Sequence, residues 1–261
     1  MKKRKILYVA IMMATIISLP EQSNSQNLEV VGQAKITDMS TDNTANQIVV
    51  KQADGTLAVR DAASLLAVGT GNYGTVVNPI TGKVWLDRNL GAAQVATSST
   101  DAASYGDLFQ WGRNADGHQI PTSGTTTTLA SNYFTTSGLF VTTGTSNWLN
   151  NVETHMWSGN AAENNPCPSG FRIPTAAEWE QERLTWSTND AAGAFGSPLK
   201  LPMAGYRDGS DGSPIDVGSS GGCWSSTVNG TSSRYLAFGS IFAAMGTSSR
   251  SYGFSVRCIK D

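Results

Sequence analysis

Short alternating runs of apolar and polar residues dominate the segment from residue 27 to residue 70. Residues 47–52 and 56–60 alternate with a period of two, and the sequence Ala-Asp-Gly separates them. Two such runs on either side of a tight turn predict a β-hairpin. About 40 residues are too few to bury a hydrophobic core. We therefore interpret residues 27–70 as a β-rich stalk and linker that leans on the next domain, on a partner or on copies of itself.

A second domain is predicted from residue 73 to residue 261. Apolar-rich residues 75–78 and 83–88 flank a turn that contains Pro and Gly, and this pattern predicts a second hairpin. Thr, Ser and Gly dominate residues 122–148 without a helical period. We expect that segment to be an excursion of loops and short strands.

One helix is clearly marked within this domain. Thr175 and Glu178 have the spacing of a capping box, and helix-forming residues continue to about Leu184. Gly-, Ser- and Asp-rich loops then separate further strand candidates, which are residues 199–206, 223–227, 235–239 and 255–259.

Residues 1–25 have the pattern of a signal peptide. A basic start at positions 2–5 precedes an apolar run over residues 6–19, and small residues follow at Ser23 and Ser25. The apolar run is too short to span a bilayer, so we expect it to be cleaved after Ser25 and to leave no membrane insertion. No cysteine lies near this junction, which excludes a lipid anchor on cysteine. The predicted location is extracytoplasmic, either secreted or at the cell surface.

The net charge of the mature chain limits the classes of partner that we expect it to bind. Removing the signal segment takes away four of 18 basic and one of 20 acidic residues, which leaves 14 against 19 and a net charge of −5. An acidic chain without a basic run has no electrostatic attraction for phosphate backbones or anionic lipid. Nucleic acid and membrane surfaces are therefore not expected as partners. Only 15% of the residues are charged, and this composition is typical of a loop-rich β domain outside the cell.

The chain contains three cysteines: Cys167, Cys223 and Cys258. In an oxidising compartment two of them are expected to pair, which leaves the third buried, free or intermolecular. The spacing alone does not determine which two pair.

Four blocks in order resemble a known family, the Fibrobacter succinogenes major paralogous domain, and together they span most of residues 73–261. Its members are secreted or surface proteins without a well-defined biochemical role. The blocks are Tyr-Gly-Thr-Val through Trp-Leu-Asp-Arg-Asn-Leu at 73–90, Cys-Pro-Ser-Gly-Phe-Arg-Ile-Pro-Thr-Ala-Ala-Glu-Trp at 167–179, Trp-Ser-Ser-Thr at 224–227, and Gly-Phe-Ser-Val-Arg-Cys at 253–258.

Part of this pattern is also similar to the formylglycine-generating, sulfatase-modifying fold, a variant of the C-type lectin fold. This similarity implies an α+β head that is irregular and C-type-lectin-like, with a twisted antiparallel sheet, one clear helix and long loops. Because Cys167 and Cys258 both lie in family blocks, the resemblance also implies a disulfide between them. The alternative is that they are separate buried thiols.

Catalytic chemistry finds little support in the residues. The sulfatase-modifying oxidases need closely spaced reactive cysteines, whereas Cys258 stands alone in its segment. His118 and His155 lack the spacing of a histidine metal site, and the glycines that flank Ser219 and Ser220 are interpreted as part of a loop.

An acidic loop after residue 206 is the clearest candidate for ligand contacts. Its candidate residues are Arg207, Asp208, Asp211 and Asp216. Oxygen-rich loops with Gly turns bind calcium in some proteins, but this spacing departs from the Asp-x-Asp-x-Asp-Gly loop, and an Asp-Gly turn is the simpler interpretation. No cofactor is therefore predicted, and calcium is kept as the alternative. The triplets of calcium-dependent sugar-binding lectins are absent from the sequence.

Seven tryptophans suggest carbohydrate binding, because flat rings stack on sugar faces. Trp111 beside Arg113 and Asn114 is the best candidate, although a core position for Trp111 is the stronger alternative. We expect Trp85, Trp179 and Trp224 to lie in the core. Trp148 and Trp157 are expected to be exposed. Asp87, Arg88 and Asn89 are expected to form a buried polar network.

These observations predict a non-enzymatic exported binding protein. A short stalk would present a lectin-like head that recognises an extracellular glycan or protein through loops at residues 101–157 and 207–222. One alternative is an extracytoplasmic enzyme of the sulfatase-modifying fold, which requires Cys258 to be a free thiolate. Another is a structural surface subunit that forms homo-oligomers through the stalk.

Overall fold

The computed structural model describes residues 47–51, 57–61, 73–133, 137–144, 146–151, 153–158 and 163–261. Strands β1 (Gln47–Lys51) and β2 (Leu57–Asp61) pair antiparallel, with Gln47 opposite Asp61. This pairing confirms the first predicted hairpin. The predicted signal peptide, the rest of the stalk and the Ala-Asp-Gly turn lie outside the described residues.

The described part of residues 73–261 is rich in strands and contains few helices, which agrees with the predicted α+β class. The helices are α1 (Ala176–Arg183), α2 (Ala191–Gly196) and a 3-10 turn (Ala102–Ser104). The strands are β3 (Thr75–Val77), β4 (Val84–Leu86), β5 (Phe109–Gln110), β6 (Thr125–Thr126), β7 (Phe140–Val141), β8 (Phe171–Arg172), β9 (Tyr206–Arg207), β10 (Pro214–Ile215), β11 (Ser220–Asn229), β12 (Ser232–Gly239), β13 (Phe242–Ser249), β14 (Gly253–Phe254) and β15 (Ile259–Lys260).

Several small sheets form the architecture. The orders are β3-β4-β15-β8, β10-β9-β14-β5 and β11-β12-β13, all antiparallel, together with the parallel pair β6-β7. In the first sheet the last strand lies in the middle, with Ile259 opposite both Trp85 and Arg172. The C-terminal strand therefore joins the first hairpin of the head to the segment that leads into α1.

Helix α1 begins as its sequence predicts. The Thr175 side chain accepts from the Glu178 amide, and the Glu178 carboxylate accepts from the Thr175 amide, which completes the capping box. Arg172 donates two hydrogen bonds to the same carboxylate, at 2.7 and 2.8 Å. Burial alone would raise the pKa of Glu178, but the bonds from Arg172 and Thr175 outweigh it and lower the pKa to about 2.

Two strand candidates are longer in the sequence interpretation than in the structure. Of residues 199–206, only Tyr206 belongs to a strand, and between residues 255 and 259 only Ile259 does. Leu199 and Leu201 are fully buried, so their apolar character reflects core packing in an irregular segment. Strand β13 and helix α2 were not predicted, because neither shows a clear hydrophobic period.

The long β11-β12-β13 sheet separates two cores. One core contains Trp111 and Trp224, and the other contains Trp85 and Trp179. The expectation that Trp148 and Trp157 are exposed is wrong, since 0% and 2% of their surfaces are accessible. Their indole nitrogens donate to the carbonyls of Trp111 and Asn164, and these bonds satisfy the polar atom of each ring inside the core.

The Cys167–Cys258 disulfide is present, with Cα atoms 5.9 Å apart, which confirms the pairing that the family resemblance implied. It closes a loop across 91 positions and connects the approach to α1 with the start of β15. Disulfides persist in oxidising compartments, so this bond is compatible with an extracytoplasmic protein. Among the described residues, no helix is both long and apolar enough to cross a membrane.

Candidate functional site

The candidate binding residues Trp111, Arg113 and Asn114 contribute to the packing of the interior. Trp111 is fully buried and donates from its indole nitrogen to the Ser225 carbonyl. Arg113, also buried, donates to Asp116 and to the Leu139 carbonyl. Asn114 bonds Asn164 at 3.1 Å. A ring without accessible surface cannot stack on a sugar. Trp111 is therefore a core residue, as the alternative interpretation predicted.

Arg207 anchors the acidic loop from inside. Only 4% of its surface is accessible, and its guanidinium donates to the carbonyls of Gly212 and Ser123 at 2.8 and 2.6 Å. The same group lies 4.2 Å from the centre of the Phe140 ring. These contacts fix the base of the loop, and they leave its aspartates at the surface.

The loop aspartates mostly order their own turns. Asp208 accepts from the amide and hydroxyl of Ser210, and Asp211 accepts from the amide and hydroxyl of Ser213. Within the described part of the chain, no three His, Cys, Asp or Glu residues gather as a metal site. The calcium alternative therefore gains no support from the positions of these side chains.

Asp87, Arg88 and Asn89, the polar residues after β4, form part of the buried polar network that the sequence predicts. Arg88 pairs with Asp87 at 3.0 Å, and both side chains keep some solvent access. Asn89 is buried and accepts from the guanidinium of Arg257 at 3.1 and 3.2 Å. Arg257 also donates to the carbonyls of Leu86 and Leu199, so the network joins the first hairpin to the last block of the sequence.

His118 is an interior residue with both ring nitrogens engaged. Its Nδ1 lies 2.5 Å from Asp116, and its Nε2 accepts from the Gln110 amide at 3.0 Å. Burial, followed by the charge of Arg113, lowers the pKa of His118 to about 4. The imidazole is therefore neutral and shielded from any substrate in solution.

The third cysteine is equally inaccessible. Cys223 is buried in the core beside Arg257, and burial raises the pKa of its thiol to about 12. A nucleophilic cysteine needs a thiolate that reactants can reach. Cys223 has neither property, and the sulfur of Cys258 is already bonded to that of Cys167.

Three half-buried tyrosines form a cluster that we call the tyrosine face: Tyr206, Tyr235 and Tyr252 around Phe254. Tyr235 stacks on Phe254 with ring centres 4.4 Å apart, and Tyr206 lies 5.4 Å from the same ring. Tyr252 is nearly parallel to Phe254 at 6.3 Å. The hydroxyls of these tyrosines bond to no described residue, so they remain available to a ligand.

Backbone geometry holds the rings in place. Tyr235 on β12 lies opposite Gly246 on β13, and a Cβ at Gly246 would stand 2.7 Å from the Tyr235 ring. The glycine therefore makes room for the ring to lie against the sheet. Below it, Trp224 meets Phe254 edge to face at 4.8 Å, and this contact fixes the floor of the cluster.

Two aspartates of the predicted loop adjoin the tyrosine face. Burial raises the pKa of Tyr206, and the charges of Asp216, Tyr252 and Asp208 raise it further, in that order. The exposed Asp216 carboxylate has no hydrogen bond to a described residue. Asp216 follows Ile215, which lies opposite Tyr206 in the β9-β10 pair. Asp208 lies two positions after Tyr206. The two residues are therefore close to Tyr206 along these strands, whereas Arg207 anchors the loop and Asp211 caps its own turn.

The three tyrosines were not among the site residues predicted from the sequence. One available signal was the spacing of Tyr252 and Phe254, because residues two apart on an extended segment point to the same side. Tyr206, directly before the acidic loop, was a second signal.

Comparisons with protein-family models, with curated proteins and with solved structures return no match. The function of this chain must therefore be inferred from its residues.

Proposed function

We propose that this chain is an exported, non-enzymatic binding protein whose head recognises an extracellular glycan through the tyrosine face. The proposal includes export by the signal peptide, membership of the Fibrobacter succinogenes major paralogous domain family and a C-type-lectin-like head. The observation that carries it is the clustering of Tyr206, Tyr235 and Tyr252, with unbonded hydroxyls, next to the loop that contains Asp208 and Asp216.

Sugar recognition needs both aromatic rings and carboxylates. Sugar rings have apolar C–H faces that stack on aromatic rings and hydroxyls that donate to carboxylates. Tyr206 and Tyr252 supply ring surface, and Asp216 supplies an acceptor that no described residue occupies. Tyrosine combines an apolar ring with a polar tip, so the same side chains also bond sugar hydroxyls.

The enzyme alternative is weaker for a chemical reason. An oxidase of the sulfatase-modifying kind needs Cys258 as a thiolate, but Cys258 is bonded to Cys167. The buried Cys223 and His118 offer no accessible nucleophile or base in its place.

A glycan binding screen tests this proposal. The chain without its predicted signal peptide is applied to neutral and acidic glycans, once with calcium and once with chelator. Tyr206→Ala and Tyr252→Ala should each weaken binding at least about tenfold, which corresponds to about 1.4 kcal/mol. The matched control is Tyr133→Ala, since Tyr133 bonds Glu163 outside the tyrosine face and should leave binding unchanged.

Phenylalanine variants separate the two contributions. Tyr206→Phe keeps the ring and removes the hydroxyl, so it should weaken binding less than Tyr206→Ala. If the chain binds no neutral glycan under either condition, or if the alanine variants bind neutral glycans as well as the wild type does, the proposal is wrong.

A further inference from the structure

A groove of about 660 Å³ opens between α1 and the β11-β12-β13 sheet, and we call it the α1 groove. Its lining includes the apolar side chains of Ala176, Val228 and Met245. Arg234 also lines it, whereas the next residue, Tyr235, belongs to the tyrosine face. Successive side chains on a strand point to opposite faces of the sheet. The groove therefore lies on the other face, and its volume is in the range of small-molecule sites.

Arg234 differs from the other arginines of the head. The structure describes eight arginines from Arg88 to Arg257, and each of the others donates hydrogen bonds from its side chain. The Arg234 guanidinium donates to no described residue, although its Nε is buried. A buried donor without a partner costs about 1–3 kcal/mol, so a ligand that accepts from Arg234 would recover this loss.

The charges that line the groove do not cancel. Glu180 is held by Arg183 through two bonds of 2.6 and 3.0 Å. The hydrogen bonds from Arg183 lower the pKa of Glu180, so this carboxylate is ionised and already paired. The charge of Arg234 remains, and the lining has one net positive charge. A guanidinium binds a carboxylate or a phosphate through two parallel hydrogen bonds.

Other groups in the groove suit a hydroxylated ligand. Asn229 uses its amide nitrogen to bond Thr247 at 3.2 Å, and this leaves its carbonyl oxygen as an acceptor. The backbone amide of Ala177, in the first turn of α1, donates to no described residue. The carbonyl oxygen of Asn229 and the amide of Ala177 therefore line the same groove as the apolar side chains and the Arg234 guanidinium.

We propose that the α1 groove binds the carboxylate of an acidic sugar, namely a uronic acid residue. The choice of a sugar as the carrier, and of its carboxylate as the anion, rests on the proposed function, whereas the choice of an anion rests on Arg234 itself. This site is separate from the tyrosine face, because the two lie on opposite faces of one sheet.

The test is a titration of the signal-free chain with trigalacturonate, followed by calorimetry and by the amide resonances of residues around the groove. We expect binding that shifts the Ala177 resonance and that the methyl-esterified trisaccharide does not reproduce. Arg234→Gln should weaken this binding at least about tenfold, and Arg234→Lys, which keeps the charge, should weaken it less. Lys260→Gln removes the same charge from an exposed position and should have no effect.

The outcomes separate this inference from the proposed function. Tyr206→Ala should leave trigalacturonate binding in the groove intact, even if it abolishes binding at the tyrosine face. Equal affinity for the esterified trisaccharide, or full affinity in Arg234→Gln, would overturn the inference. Binding of triglutamate without binding of trigalacturonate would also overturn it, because an acidic peptide would then be the ligand.

Discussion

The two faces of the β11-β12-β13 sheet differ in how they meet solvent. On one face, Tyr235 and its neighbours present aromatic rings beside loop carboxylates. On the other, α1 covers the sheet with Trp179 and leaves a cationic groove at Arg234. Two adjacent residues of β12 thus belong to two separate surfaces. A single alternating strand therefore contributes side chains to two separate surfaces.

The largest effect is expected for a change that disrupts both faces of the sheet at the same time. Replacing Cys167 and Cys258 by Ser removes a crosslink between residues 91 positions apart. Loss of a crosslink over such a loop costs about 2–5 kcal/mol. The free energy of unfolding from urea titration should fall by this amount, and reduction of the wild type should give the same loss. An unchanged stability would show that the crosslink contributes nothing to either core.

The loop beside the tyrosine face should weaken in acid. His118 lies in the interior, and its carbonyl accepts from Arg207, which anchors the loop. Its folded pKa of about 4 lies below the ordinary value of 6.5, so the neutral form stabilises the fold above pH 6.5. This stability is lost as the pH falls towards 4, and it amounts to about 3 kcal/mol at most.

The variant His118→Gln isolates this contribution. The difference in unfolding free energy between wild type and variant should shrink between pH 7 and pH 4, because glutamine does not titrate. A difference that stays constant over this range would contradict the assignment.

The tyrosine face alone should respond to Gly246→Val. The new side chain would displace the Tyr235 ring, and overpacking of this kind costs about 1–3 kcal/mol. Glycan binding should weaken, while trigalacturonate binding in the α1 groove should persist. The matched control is Gly196→Ala, where a Cβ meets no atom within 4 Å. Loss of both ligands in Gly246→Val would mean that the two faces are not independent.

The smallest effect concerns the ionisation of Tyr206. After burial, the charge of Asp216 is the largest cause of its raised pKa, so Asp216→Asn should lower that pKa towards 10. An alkaline titration followed by tyrosinate absorbance measures this change, with Asp261→Asn as the control. No difference between the two variants would place Asp216 away from the ring.

Local patterns allowed much of the fold to be predicted. The capping box at Thr175 determines where α1 begins, and the alternating runs give both hairpins, because each depends on neighbouring residues. The positions of Trp148 and Trp157 depend on carbonyls that come from distant segments. Their polar surroundings in the sequence suggested exposure, and tertiary hydrogen bonds bury them instead.

The candidate site was predicted only in part, for a related reason. Asp208 and Asp216 were identified because Gly and Asp mark a surface loop. The tyrosines come together from residues 206, 235 and 252, and only the pairing of β9, β12 and β14 with their neighbours makes them adjacent. Arg234 could not be singled out, because its lack of a partner is a property of the folded chain.

The most direct test of glycan recognition by the tyrosine face is the affinity of the strongest-binding neutral glycan for the wild type and for the Tyr206→Ala/Tyr252→Ala double variant. We predict that the double variant, correctly folded by its disulfide and thermal transition, binds at least about a hundredfold more weakly, which corresponds to about 2.8 kcal/mol. Equal affinities, or a wild type that binds no neutral glycan, would contradict this function.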